Sequence, residues 1–307
     1  MSSGRVLAAF GRRLGRRPGL ATAIVRLPRA LPRRPRAALY RSFSWPLAKR
    51  LGTVAEVNVA GGGKLRVRTD DSIGRALAVS GVWEPNVTAA FARLLRAGDV
   101  CIDAGAHIGY YTVLASSLVG PRGHVYAFEP SPANYGTLME NLELNRATNV
   151  TARNVALALE EGSRVLNEGP GTNTGRATLR VPQAERDVGR PQVTVPVRAL
   201  PTEVPEEEWA RIRVVKIDVE GFELEVLRSL EPVFELGSPL AVFLELTPGW
   251  VDREDLASFE RMWREHGLTP YVLRSGYTVN DLFPARIEPP IELTGVPPEQ
   301  CDLLLTR

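Results

Sequence analysis

The sequence predicts an α/β protein in which strands alternate with helices. Three stretches carry that prediction: residues 100–118, 124–142 and 214–230 each pass from apolar residues through an acid and a turn-former into leucines at helical spacing. In the first, Val100-Cys101-Ile102-Asp103 leads into Gly105, His107 and Gly109, with Leu114 and Leu118 on one face of the following helix. An acid at a strand's carboxyl end, followed by glycines before a helix, makes a place to hold a nucleoside or amino-acid cofactor.

The composition is that of an ordinary globular chain. Its 307 residues are 44% hydrophobic and 24% charged, enough for one large α/β domain or two small ones. No apolar run reaches the roughly 18–20 residues of a membrane helix. The N-terminus lacks the compact apolar core of a secretory signal, so the expected compartment is the cytoplasm. Cys101 and Cys301 each fall in a strand-like run and read as buried, reduced thiols. The net charge of +3 hides an asymmetry, because residues 1–50 hold 13 of the 38 Lys and Arg and no acid. The remainder carries 25 basic against 35 acidic residues.

Residues 1–50 therefore read as a basic, partly disordered extension, broken by Pro18, Pro28, Pro32 and Pro35. Such an arm suits an anionic membrane surface, an acidic partner or a transit leader. Nucleic acid is not expected, because aromatics are not interleaved among the arginines and the body is acidic. Residues 51–98 are expected to form a cover: a hairpin over 54–67 turning at Gly61-Gly62-Gly63, then a helix capped by Asn86 and ending at Gly98. The hairpin is expected to lie over one edge of the main domain. Trp83 and Glu84, just ahead of that helix, are expected to face a substrate.

The organising strand at 100–103 comes next. A second strand, 124–129, puts Glu129 at its carboxyl end before Pro130, where an acid can accept both hydroxyls of a ribose. Ser131 caps the next helix and Pro132 opens it. A third strand is expected over 149–158, with Ala156 and Leu157 flanking an adenine. Residues 163–167 and 176–181 are expected to pair around the 168–175 loop, a lid in which Asn173 and Thr174 contact substrate or cofactor.

Residues 214–219 form a strand along which Lys216, Asp218 and Glu220 share one side. Three charges there are not buried unpaired: they line a cleft, or Lys216 pairs with an acid in the core. Gly221 turns into a helix. The fifth strand, 240–246, carries Glu245 near its end. Asp252 caps a further helix, 269–274 is a sixth strand, and 301–306 is a last strand pairing antiparallel at the sheet edge.

The glycine spacing narrows the cofactor. A pyrophosphate turn needs G-x-G-x-x-G, whereas this chain has Asp103-x-Gly105-x-x-x-Gly109 with His107 at the middle glycine. That suits S-adenosylmethionine, which presents an ammonium group and no phosphate. An NAD-dependent oxidoreductase would share the sheet but lacks its second glycine here, and a non-catalytic binding protein acting through the basic arm is the other alternative.

Four motifs together resemble the FkbM family of S-adenosylmethionine-dependent methyltransferases: Asp103-x-Gly-Ala-x-x-Gly-Tyr-Tyr-Thr, Tyr126-x-Phe-Glu-Pro-x-Pro, Asn141-x-x-x-Asn145 and Lys216-Ile-Asp-Val-Glu-Gly-x-Glu. They stand in that family's order over residues 80–273, and His107 stands where the family carries Asn. The resemblance implies a doubly wound, seven-stranded class I methyltransferase (Rossmann-like) sheet with an antiparallel last strand, occupying residues 99–307. It also implies methyl transfer to a hydroxyl of a sugar, polyketide or related metabolite, so the expected partner is a small-molecule or glycan acceptor. On that reading Asp103, Gly105, His107, Gly109, Glu129 and Ala156 hold the cofactor. Trp83, Glu84 and Asn173 meet the acceptor. Asp218 is the base or orienting acid, with Lys216, Glu220 and Glu245 around it. Asp218 and Glu245 also offer hard oxygen ligands to Mg²⁺, without a specific motif. The three scattered histidines do not suit zinc.

Overall fold

The computed structural model describes residues 54–307 except 172, 180–189, 252, 277–278, 283, 285, 296 and 298. The arm at 1–50, the expected cap Asp252 and positions 180–181 of an expected strand lie outside the described residues.

The chain opens with a hairpin, β1 (Val54–Asn58) against β2 (Lys64–Arg68), in which alternate residues are buried. It lies on helices rather than beside a strand of the main sheet. Gly61 and Gly63 pack on Leu114 and Val113, and Asn141 and Asn145 bind the backbone of Arg66 and Lys64. Helix α1 (Ser72–Ser80) follows, capped by Asp71, whose Oδ2 accepts from Gly74 N at 2.9 Å. Sequence reading missed this helix. Helix α2 (Pro85–Leu94) then starts two residues earlier than expected and stops short of Gly98. Its cap position is Glu84, at φ 42°, while Asn86 lies inside the helix with its amide on Arg274 O and Glu288 N.

The main sheet begins at β3 (Val100–Ala104), followed by α3 (Tyr110–Val119), β4 (His124–Phe128), α4 (Pro132–Asn145) and β5 (Val150–Arg153). The expected single strand over 149–158 is two, because Asn154 Nδ2 donates to Glu129 O and Pro130 O and turns the chain out of the sheet. β6 (Ala156–Leu157) instead joins β7 (Gly162–Asn167) and β8 (Gln192–Arg198) in a three-stranded sheet, order β6-β8-β7. The 163–167 strand therefore pairs with 192–198; among the described residues a single bridge, Asn167 to Thr178, remains of the pairing expected across the loop.

The second half adds β9 (Ile212–Ile217), α5 (Glu223–Ser229), β10 (Ala241–Leu246), α6 (Arg253–Glu265), β11 (Thr269–Leu273), the two-residue β12 (Ile291–Glu292) and β13 (Cys301–Thr306). The order is β12-β11-β13-β10-β9-β3-β4-β5. β3, β4, β5, β9 and β10 run parallel, and β13 is antiparallel to both its neighbours, β10 and β11. The last strand is thus inserted within the sheet rather than added at its edge.

Strand alternation divides the core into two layers. Cys101, Val214 and Phe243 face α1 to α4, whereas Ile102, Val215 and Leu244 face α5 and α6. Both cysteines are free thiols. Asn141, fully buried, ties the hairpin to this core by accepting from Arg66 N and donating to Ile108 O at 2.8 Å. Asn141→Leu keeps the volume and strands those backbone groups, so urea unfolding should show a loss of about 2–4 kcal/mol; a change under about 0.5 kcal/mol would show that the hairpin contributes nothing to the main fold.

Candidate active site

A cleft of about 560 Å³ opens at the carboxyl ends of β3, β4, β9 and β10. Parallel sheets bind ligands there, where connections leave in opposite directions to the two faces. Its lining includes Asp103, Gly105, His107, Glu129, Ala156, Asn173, Trp83, Glu84, Lys216, Asp218, Glu220 and Glu245. Of the site residues predicted from sequence, all but Gly109 and Thr174 therefore meet at one opening. Gly109, at φ 89°, caps α3, and a side chain there would press on Leu138 Cδ1 at 2.6 Å.

The half of the cleft at β3 and β4 is built around two buried acids. Asp103 accepts from Thr112 Oγ1 at 2.5 Å, and burial raises its pKa against the opposing pull of Lys216. Gly105 follows at φ 84°, and a Cβ there would collide with the Asp218 carbonyl oxygen, so this turn closes on β9 only with glycine. Glu129 Oε2 accepts from His107 N at 2.8 Å and its Oε1 from Ser131 N at 2.9 Å. Burial pushes the Glu129 carboxyl up to about 7, although these N–H groups oppose the shift. Beside it lie Phe128, Val155, Ala156 and Leu157, an apolar wall at the start of the small sheet.

The other half gathers five charges. Lys216 is buried on β9; its Nζ donates to Asp218 Oδ2 at 2.7 Å and lies 4.7 Å from the centre of the Tyr111 ring. Burial works against the ammonium, but Asp218, Glu84 and Asp103 outweigh it and hold its pKa above the ordinary lysine value. Both open readings of the sequence thus hold: the charges line a cleft, and Lys216 is paired. Glu84 accepts from the Tyr111 hydroxyl at 2.8 Å, and burial moves its carboxyl to about 7. Glu220, at φ 51°, is raised to about 8 by burial, then by Asp218 and Glu245. Glu245 accepts from Gln300 Nε2.

Carboxylate oxygens of Asp218, Glu220 and Glu245 lie within 4.8 Å of one another. They have the donor chemistry of a hard divalent cation. Any such ion would compete with Lys216 for Asp218. Residues missed from sequence are Tyr111, Asn134, Arg176, Phe222 and Gln300, all in the lining. Tyr111 stood inside a quoted motif; the others carried no local signal.

A family model for the methyltransferase FkbM domain matches residues 103–271. Methyltransferase 1 of Beauveria bassiana (strain ARSEF 2860) is 33% identical over 146 residues, covering 42% of this chain and 57% of its own length. The hexuronic acid methyltransferase AglP of Haloferax volcanii is 28% identical over 158 residues, covering 52% and 59%. The chain thus spans less than two thirds of either relative. Among solved structures, methyltransferase FkbM from Methylobacillus flagellatus KT superposes with a TM-score of 0.42 at 13% identity, covering 88% of this chain and 60% of that one.

The raised carboxyls set a direction for pH. Glu84, Glu129 and Glu223 stand near 7 and Glu220 near 8, against an ordinary 4.5. Their folded-state pKa values exceed the unfolded ones, so their contribution to stability is full below 4.5 and lost as pH rises through 7 to 8. The melting temperature of the ligand-free protein should therefore fall between about pH 5 and about pH 8; a rise over that interval would contradict the burial of these groups.

Proposed function

We propose, for a chain that belongs to the FkbM methyltransferase family, transfer of a methyl group from S-adenosylmethionine to a hydroxyl on a sugar, polyketide or related metabolite. The observation that carries this reading is the pairing, in one cleft, of two buried acids at adjacent strand tips with a Lys216–Asp218 pair across from them.

The residues present fit the cofactor. Glu129 keeps lone pairs for a ribose diol while its N–H bonds fix the carboxylate plane. Phe128, Val155, Ala156 and Leu157 offer an apolar slot to an adenine. Asp103 and the excess of carboxylates suit a ligand carrying an ammonium and a sulfonium charge. Bound there, S-adenosylmethionine supplies an electrophilic methyl group on a cationic sulfur.

The acceptor side belongs to Asp218, Glu220, Glu245, Glu84 and Trp83. Lys216 holds one oxygen of Asp218, which leaves the other to accept the acceptor's O–H and aim its oxygen. Asp218 is then the base or orienting acid for that hydrogen, with Glu220, raised to about 8 by burial, and Glu245 beside it. The Haloferax relative is named as a hexuronic acid methyltransferase. A carboxylate acceptor would meet four acids here and an ammonium already engaged, whereas hydroxyl donors suit them all. The preferred acceptors are neutral polyols, with uronic acids poorer.

Two measurements test this. Asp218→Asn should lower turnover at least about 100-fold while S-adenosylhomocysteine affinity stays within about twofold; unchanged turnover would remove Asp218 from the site. Glu129→Ala should weaken that affinity about tenfold or more by calorimetry, as expected for a lost bidentate acceptor, and equal binding would move the ribose elsewhere.

A further inference from the structure

Thr174, expected from the sequence to contact substrate or cofactor, is not in the cleft lining, and its hydrogen bonds reach three separate elements. Its N–H donates to Asp71 Oδ1 at 3.0 Å, and its hydroxyl donates to the same oxygen at 3.3 Å. Its carbonyl oxygen accepts from Asn134 Nδ2 at 3.2 Å. Its Oγ1 also lies 2.8 Å from His107 Nε2. Thr174 opens the single turn Thr174–Arg176, and Asn173, Gly175 and Arg176 around it line the cleft.

A threonine hydroxyl has one hydrogen. With that hydrogen given to Asp71, Oγ1 meets His107 only as an acceptor, so the imidazole hydrogen sits on Nε2. Burial lowers the His107 pKa, which leaves the ring neutral with Nδ1 as its one acceptor. The ring's placement is fixed as well: His107 stands at φ 51° with its N–H on Glu129. Asp71 in turn is anchored by the cap bond it accepts from Gly74.

We infer that Asp71, Thr174 and His107 form a positioning relay for the cofactor. Asp71 orients the Thr174 hydroxyl, Thr174 selects the Nε2–H form of His107, and His107 offers its Nδ1 lone pair to an O–H or N–H donor of the bound cofactor. The same bonds hold the 173–176 turn against the cleft. The inference rests on the reading that this cleft takes S-adenosylmethionine, and the tautomer does not depend on that reading.

The test uses the full chain with ¹⁵N-labelled histidine and two variants. In the wild type, NMR should show His107 as the Nε2–H tautomer; in Thr174→Val, which keeps the branched shape and loses the hydroxyl, it should show a mixture. S-adenosylhomocysteine should bind Thr174→Val about tenfold more weakly, the scale of one lost hydrogen bond, with kcat at saturation within about twofold and Thr174→Ser restoring both signals. An Nδ1–H tautomer in the wild type, or a tautomer unmoved in Thr174→Val, overturns the relay. Equal affinity in wild type and Thr174→Val, with the tautomer changed, overturns its link to the cofactor. A wild type that fails to bind S-adenosylhomocysteine overturns the cofactor's placement instead, leaving the tautomer result to stand by itself.

Discussion

A single buried ammonium holds the acceptor end of this cleft together. Lys216 sits among Asp103, Glu84 and Asp218, and each of those carboxylates is placed by a different element: β3, the turn before α2, and the turn after β9. Without a cation there, these acids would have to take up protons to stay together in a poorly solvated space. Lysine also fits by its shape. Its stem runs along the sheet while the charge lies over the Tyr111 ring, whose hydroxyl reaches on to Glu84. The acids, the aromatic ring and the strand tips form one unit.

Gly105 couples that unit to the cofactor half. Its backbone comes so near the Asp218 carbonyl that no side chain fits between. The turn on β3 and the turn on β9 are therefore in direct contact. A shift of one must move the other, because protein interiors leave no slack at van der Waals contact.

Much of this was legible in the sequence. Strand alternation put Lys216, Asp218 and Glu220 on one side before any coordinates, and acids at strand tips marked Asp103, Glu129 and Glu245. The elements that were misjudged depended on distant partners. Residues 163–167 chose a strand some thirty residues onward over the nearer 176–181. The break at Asn154 comes from bonds to Glu129 and Pro130, and the Asn86 side chain left its expected cap for Arg274. Thr174 meets Asp71 across 103 residues, which no local pattern records. One signal was present and passed over: Leu303, Leu304 and Leu305 form an unbroken apolar run, the mark of a strand buried on both faces rather than one at an edge.

The position of that run has a consequence for how the chain is made. Among the described residues β11 is bonded to β13 and β12 alone, and β13 is what joins β11 to β10. A nascent chain can assemble β3, β4, β5, β9 and β10 as they emerge, but the 269–273 segment must wait for residues 301–306 before it has a place. At roughly 5–20 residues per second, the exposed flank of β10 stands open for seconds while the intervening loop is translated. During that interval its unpaired backbone is a template for any passing strand, until residues 301–306 occupy that flank.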